Sequence, residues 1–173
     1  KYNLSHPNVG SLEGGTASDI VWDFNTSGYI DGFSIACAEV QNHEDGKVSF
    51  LSKTNGKRHD PVMNSPAVTY DAVKYEKVVV GFSYDLTGGY GEATGITSSV
   101  FFAPPNGSFN GTDVVQVKTE GLSSNGKIIE VEFDMSQHEL YKGNIKSLRF
   151  DPFECSGSFS VDSIRIVYTG SNE

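Results

Sequence analysis

The chain has 173 residues, 37% of them hydrophobic and 20% charged, which fits one globular domain with its own core and argues against a disordered tail or two small domains. A chain of this length buries roughly two thirds of its unfolded surface, so it needs neither a disulfide framework nor a structural metal merely to stay folded. Twenty-two acidic against thirteen basic residues leave a net charge of −9, which sets it against nucleic acid and against an anionic membrane surface as partners.

The start at Lys1-Tyr2-Asn3-Leu4 carries neither an initiator Met nor a signal-peptide pattern, and reads as a segment of a longer or processed chain. No run approaches the 18 or so consecutive apolar residues of a membrane span. Residues 1–18 read as a linker or edge segment, 19–170 as one domain and 171–173 as a tail. Nineteen glycines, eleven phenylalanines and eight tyrosines against two methionines favour aromatic-rich sheet over helix packing.

Strands are expected near 19–25, 33–40, 47–53, 62–69, 76–85, 96–103, 113–119, 127–134, 145–151 and 157–168. Two show the period plainly: Val78, Val80, Phe82 and Tyr84 share one face, as do Ile129, Val131 and Phe133. Turn signals at Asp45-Gly46, Asn55-Gly56, Gly88-Gly89, Asn106-Gly107, Asn110-Gly111 and Asn125-Gly126 separate the runs. Helix is confined to short pieces at Ala72–Tyr75 and Ser136–Leu140. The sum is an all-β, antiparallel two-sheet sandwich of jelly-roll type, with a closed barrel as the alternative. In the last run Phe159 and Val161 share one parity while Ile164, Ile166 and Tyr168 share the other, so a bulge is expected at Asp162-Ser163.

No nucleophile elbow, phosphate loop or His pair at ligand spacing occurs; His6, His43, His59 and His138 are scattered. Paired carboxylates of the glycosidase kind can come from Asp60, Asp71, Asp85, Asp113, Asp134 and Asp151, which read equally as solvated charge. Cys37 and Cys155 are compatible with a disulfide and with two thiols. Sequons begin at Asn3, Asn25, Asn106 and Asn110, as an Asn/Ser/Gly-rich chain produces by chance.

More specific is Arg58-His59-Asp60-Pro61, echoed ninety-one positions on as Arg149-Phe150-Asp151-Pro152. In an extended segment Arg and Asp two apart share a face, and the following Pro keeps the Asp extended and removes one ladder donor. With Leu148 and Phe150 in the core, Arg149 and Asp151 face outward. A planar guanidinium beside a carboxylate can bind two neighbouring sugar hydroxyls, or can serve only as an internal ion pair.

Aromatic rings supply the other half of sugar recognition by stacking on the apolar face of a pyranose. Trp22, Phe24, Phe50, Phe82, Phe101, Phe133, Phe150 and Phe159 fall in periodic strands and read as core, whereas Tyr29, Tyr90, Phe109 and Tyr141 fall in loops and read as candidate ligand contacts. Asp23, ending an early strand, and Asp162, at the bulge, are candidate ligands for a structural Ca2+, or caps of turns.

Val21-Trp22-Asp23-Phe24-Asn25, Gly32-Phe33, Asp60-Pro61, Ser65-Pro66 and Tyr70-Asp71-Ala72 with Tyr75 form one series of motifs. It closes with Tyr141-Lys142-Gly143, then Leu148-Arg149-Phe150-Asp151-Pro152, then Val161-Asp162-Ser163-Ile164. In this series, which covers nearly the whole chain, the sequence resembles the β-sandwich carbohydrate-binding modules (galactose-binding-domain-like) appended to secreted bacterial polysaccharide-degrading enzymes and surface proteins. Tyr141 and Phe33 stand where such modules commonly carry Trp. The resemblance implies a non-catalytic jelly roll that binds a polysaccharide in a groove or at loop tips, often with a structural calcium. It also implies an extracellular or cell-surface location, with the isolated module a monomer. The expected ligand contacts are Arg58, Asp60, Tyr90, Tyr141, Arg149 and Asp151. The alternatives are a structural or adhesin domain with no sugar site, and a jelly-roll hydrolase or lyase.

Overall fold

The period-two runs fold as antiparallel strands, described for residues 18–44, 46–56, 58–105 and 107–170 in a computed structural model. His6, the sequons at Asn3 and Asn106, the turn signals beginning at Asp45 and Asn106, most of the N-terminal segment and the 171–173 tail lie outside the described residues.

In chain order the strands are β1 (Ile20–Trp22), β2 (Ser34–Ala36), β3 (Ala38–Glu44), β4 (Lys47–Ser52), β5 (Val62–Asn64), β6 (Tyr70–Asp71) and β7 (Lys77–Gly88). They continue as β8 (Gly95–Ala103), β9 (Val114–Glu120), β10 (Ile129–Asp134), β11 (Asn144–Ile145), β12 (Ser147–Asp151) and β13 (Ser156–Val167). One sheet runs β10-β7-β13-β4-β3 with β1 also on β13; the other runs β2-β5-β12-β8-β9, and β6 pairs β11. The chain passes repeatedly from one sheet to the other, as a jelly-roll sandwich requires. The two expected helical pieces are 3-10 turns, Ala72–Lys74 and Met135–Gln137, each capped by the Asp before it.

One expected strand, 33–40, is two. Cys37 takes a left-handed φ of 53°, and the chain there leaves the five-stranded sheet at Ala36 for the six-stranded sheet at Ala38. The bulge is where the parity slip puts it: β13 shifts register against β7 between Val161 and Ser163, leaving Asp162 as the extra residue. Because of that shift Phe159, Val161, Ile164 and Ile166 are all buried. β13 pairs β4 before the bulge and β1 after it.

The core between the sheets is aromatic. Trp22, Phe24, Phe50, Phe82, Phe102, Phe133, Phe153 and Phe159 are all less than 2% exposed or at that limit. Phe82 of one sheet meets Phe150 of the other edge to face at 5.3 Å, and Phe50 stacks on Phe159 at 4.8 Å. Backbones also approach closely: a Cβ at Gly157 would lie 2.6 Å from the Asp85 carbonyl and 3.0 Å from Leu86 Cα. Both obstacles are main chain of the neighbouring strand and cannot swing aside. Gly157→Ala is therefore expected to cost about 1–3 kcal/mol through overpacking, lowering the thermal midpoint by roughly 2–10 °C for a chain of this size; an unchanged midpoint in circular dichroism melts would refute the close approach.

Candidate functional site

The site starts from the parity of β12. Leu148 and Phe150 are buried in the core, so Arg149 between them must stand on the outer face of the five-stranded sheet. The pairing registers extend that position into a row: Ser34, Asn64, Arg149, Phe101 and Val114 lie side by side across all five strands. Four interstrand gaps make the row about 19 Å long. None of its members is buried.

Arg149 is held in one pose from two sides. Its Nε donates to Asp151 Oδ1 at 2.7 Å and its Nη2 donates to Asp151 Oδ2, a bidentate fork, while its guanidinium carbon lies 4.7 Å from the centre of the Phe101 ring. The Arg149 side chain is 26% exposed and that of Asp151 only 8%. Hydrogen bonding to Asp151 and the nearby Asp60 and Cys37 raise the Arg149 pKa further. Of the five N–H groups of a guanidinium the fork uses two.

The two Arg-x-Asp-Pro copies meet, though they do not exchange partners. Arg58 lies 3.5 Å from Asp60 of its own copy and 3.6 Å from Glu154, which follows the second copy. Burial raises the Asp151 carboxyl above the usual range; the Arg149 fork opposes this, and Asp60 and Glu154 reinforce it. Asp60 Oδ1 is a buried acceptor with no hydrogen-bond partner among the described residues. Two guanidinium groups and three carboxylates thus share one patch.

Further along the same face lies a cavity of about 430 Å³, lined by Tyr90, Thr97, Ser99, Gln116, Glu154 and Cys155 among others. Ser99 is the strand neighbour of Asp151, so the cavity and the Arg149 row are continuous.

Two expected placements are corrected by packing. Tyr141 follows a polar loop but is 7% exposed, and its hydroxyl donates to Tyr75 O at 2.8 Å and meets Tyr70 Oη at 3.1 Å. Its burial, which also pushes its phenol pKa well up, makes it a core residue and not a ligand contact. Phe101, read as core, is on the outer face, because Val100 and Phe102 take the two inward places beside it. Tyr29 and Phe109 lie half-buried in loops outside the row.

Asp23 and Asp162 do not assemble a calcium site from the described residues. Asp23 is exposed and caps a turn by accepting from Asn25 N at 3.2 Å, and Asp31 ties its loop back to the chain by accepting from Phe24 N at 2.9 Å. Asp162 Oδ2 lies beside Gly81, 3.6 Å from where a Cβ would stand. Among the described residues no three Asp, Glu, His or Cys side chains gather as a cation would need.

Cys37 and Cys155 are free thiols. They precede β3 and β13, and β4 runs between those strands: Ala38 pairs Ser52, and Gly157 N donates to Ser52 Oγ at 3.0 Å. Two interstrand gaps separate the strands by about 10 Å, beyond the roughly 7 Å Cα limit for a disulfide.

No protein-family model matches the chain, and no curated protein matches it. Among solved structures, an arabinose-bound α-L-arabinofuranosidase aligns over 95% of this chain with TM-score 0.52 and 11% identity, and shows the shared sandwich fold; the chain spans 30% of that enzyme's length. A xylan-binding domain from Paenibacillus barcinonensis aligns over 88% of this chain and 94% of its own, with TM-score 0.49 and 13% identity. A low-affinity xylan-binding module from the gut symbiont Roseburia intestinalis aligns over 87% of this chain and 96% of its own, with TM-score 0.48 and 12% identity.

Proposed function

We propose that the chain is a non-catalytic carbohydrate-binding module that lays a polysaccharide along the Arg149 row of the five-stranded sheet and so keeps a parent secreted or surface protein on its glycan. The observation that carries this reading is the locked guanidinium of Arg149. Fixed by the Asp151 fork and the Phe101 ring, it presents its remaining N–H donors without the entropy a free arginine would lose on binding. Asn64 beside it adds an amide that both donates and accepts, matching vicinal hydroxyls. Single contacts of this kind are weak because each replaces one with water, and repetition along a polymer compensates.

The same fork speaks against hydrolysis. Both oxygens of Asp151 are engaged by Arg149, so neither is placed to protonate a glycosidic oxygen, and Asp60 stands beside a second guanidinium. Affinity electrophoresis against β-glucans, xylans, mannans, pectins and algal galactans, with and without a chelator, tests the proposal. Retardation by one class without release of reducing sugar supports it. Migration unchanged by every glycan contradicts it and favours a structural domain; product release contradicts the non-catalytic part.

A pH dependence follows from Asp151. A carboxyl raised by burial adds stability only below its ordinary pKa, and that contribution is lost as pH rises through the raised folded value. Acid therefore does not unfold the chain through Asp151, but it removes the charge that holds Arg149. Affinity is expected to fall on acidification while far-UV circular dichroism stays native, and Asp151→Asn is expected to flatten the profile. A wild-type affinity that is level from pH 7 to pH 4 would refute the role given to the fork.

A further inference from the structure

The cavity beside the row differs from it in kind. The row crosses every strand of its sheet, whereas the cavity is bounded by two connections that cross between the sheets, 89–94 and 152–155. An extended face suits a chain, and a bounded hollow suits a terminal unit. Its volume of about 430 Å³ is at the small end of ligand sites.

Its walls are fixed. Gly89 and Gly91 adopt left-handed φ of 78° and 58° on either side of Tyr90, and Ala93 N closes the turn on Tyr90 O at 3.0 Å. Tyr90 is thereby packed against the core with its side chain at the cavity. Ser99 and Thr97 bring hydroxyls, and Gln116 Nε2 donates to Ser99 Oγ at 3.0 Å, which orients the amide and leaves its oxygen as an acceptor. These groups both donate and accept, as sugar hydroxyls do. Among the described residues the one carboxylate in the lining is Glu154, and no Lys or Arg is part of it.

We propose that this cavity receives a single uncharged glycosyl branch of the polysaccharide whose backbone lies on the Arg149 row, so that the module prefers decorated to bare chains. This rests on the glycan-binding reading. Glu154 is already faced by Arg58 at 3.6 Å, and among the described residues the lining brings no cation of its own to pair with a uronate, so the branch taken is a neutral one. Gln116 is exposed, and its replacement leaves the core and the row intact.

Calorimetric titration with matched hexasaccharides tests the inference: linear xylan, mannan and β-glucan oligomers, the same backbones with one arabinosyl, galactosyl or xylosyl branch, and the xylan backbone with one glucuronosyl branch. A neutral-branched oligomer is expected to bind at least fivefold tighter than its linear parent, and the glucuronosyl form no tighter. Gln116→Ala and Thr97→Val are expected to remove the preference while the linear oligomer binds as before; Gln116→Ala alone suffices if Thr97→Val fails to fold. Equal affinity for linear and branched oligomers, or an equal loss for both in Gln116→Ala, would overturn the inference and leave the glycan reading standing. Absence of binding to every series overturns the glycan reading itself, and this inference with it.

Discussion

Arg149→Ala is expected to lower polysaccharide affinity by roughly 10- to 100-fold, the loss that follows from removing one or two charge-assisted hydrogen bonds. It is also expected to destabilise the fold, because Asp151, with its side chain 8% exposed, would be left without its partner. Removing one member of a buried ion pair costs about 3–5 kcal/mol, and the partial exposure of Arg149 places the cost at the low end of that range. The two effects separate in a double variant. Arg149→Met with Asp151→Leu removes both charges, so stability is expected to return close to wild type while binding stays lost. Recovery of binding in the double variant would mean that the pair is an internal strut and nothing more.

Phe150→Ala is expected to have the largest effect on stability. Phe150 is 2% exposed and meets Phe82 at 5.3 Å and Phe133 at 6.4 Å, so it joins the two sheets at the middle of β12. Truncating a buried phenylalanine costs about 3–5 kcal/mol, against a total stability for a domain of about 5–15 kcal/mol. The thermal midpoint is expected to fall by about 6–20 °C. Because Phe150 separates Arg149 from Asp151, binding is expected to weaken as well, with a greater loss near the lowered midpoint. A midpoint within two degrees of wild type would show that β12 is not the joint between the layers.

How far the sequence reached depended on whether a residue's role is set by its own strand or by what covers it. Parity along β12 placed Leu148 and Phe150 inside and Arg149 outside, and the parity slip in the last strand located the bulge at Asp162. Both depend only on alternation within one strand. Tyr141 escaped that logic, since a tyrosine in a polar loop is covered by whatever the loop folds onto, here Tyr70 and Tyr75. Phe101 was misread because Phe101 and Phe102 are adjacent aromatics, and only the neighbouring Val100 and the pairing with Arg149 decide which one faces the core. The break at Cys37 left no trace in composition, as a non-glycine residue with left-handed φ is not signalled by its own side chain. The meeting of the two Arg-x-Asp-Pro copies could be suspected from their repetition, but the β5–β12 pairing that brings them together is long-range and appears only in the fold.

The central claim is that a polysaccharide lies along one row of one sheet. Amide chemical-shift mapping of the isotope-labelled chain, titrated with an oligosaccharide of the glycan that retards it, tests this most directly. The account predicts shifts concentrated at Ser34, Asn64, Phe101, Val114, Arg149 and Asp151, with the outer face of the six-stranded sheet unmoved. Shifts confined to that opposite face or to the loops around Tyr29 and Phe109, with the Arg149 row silent, would contradict it.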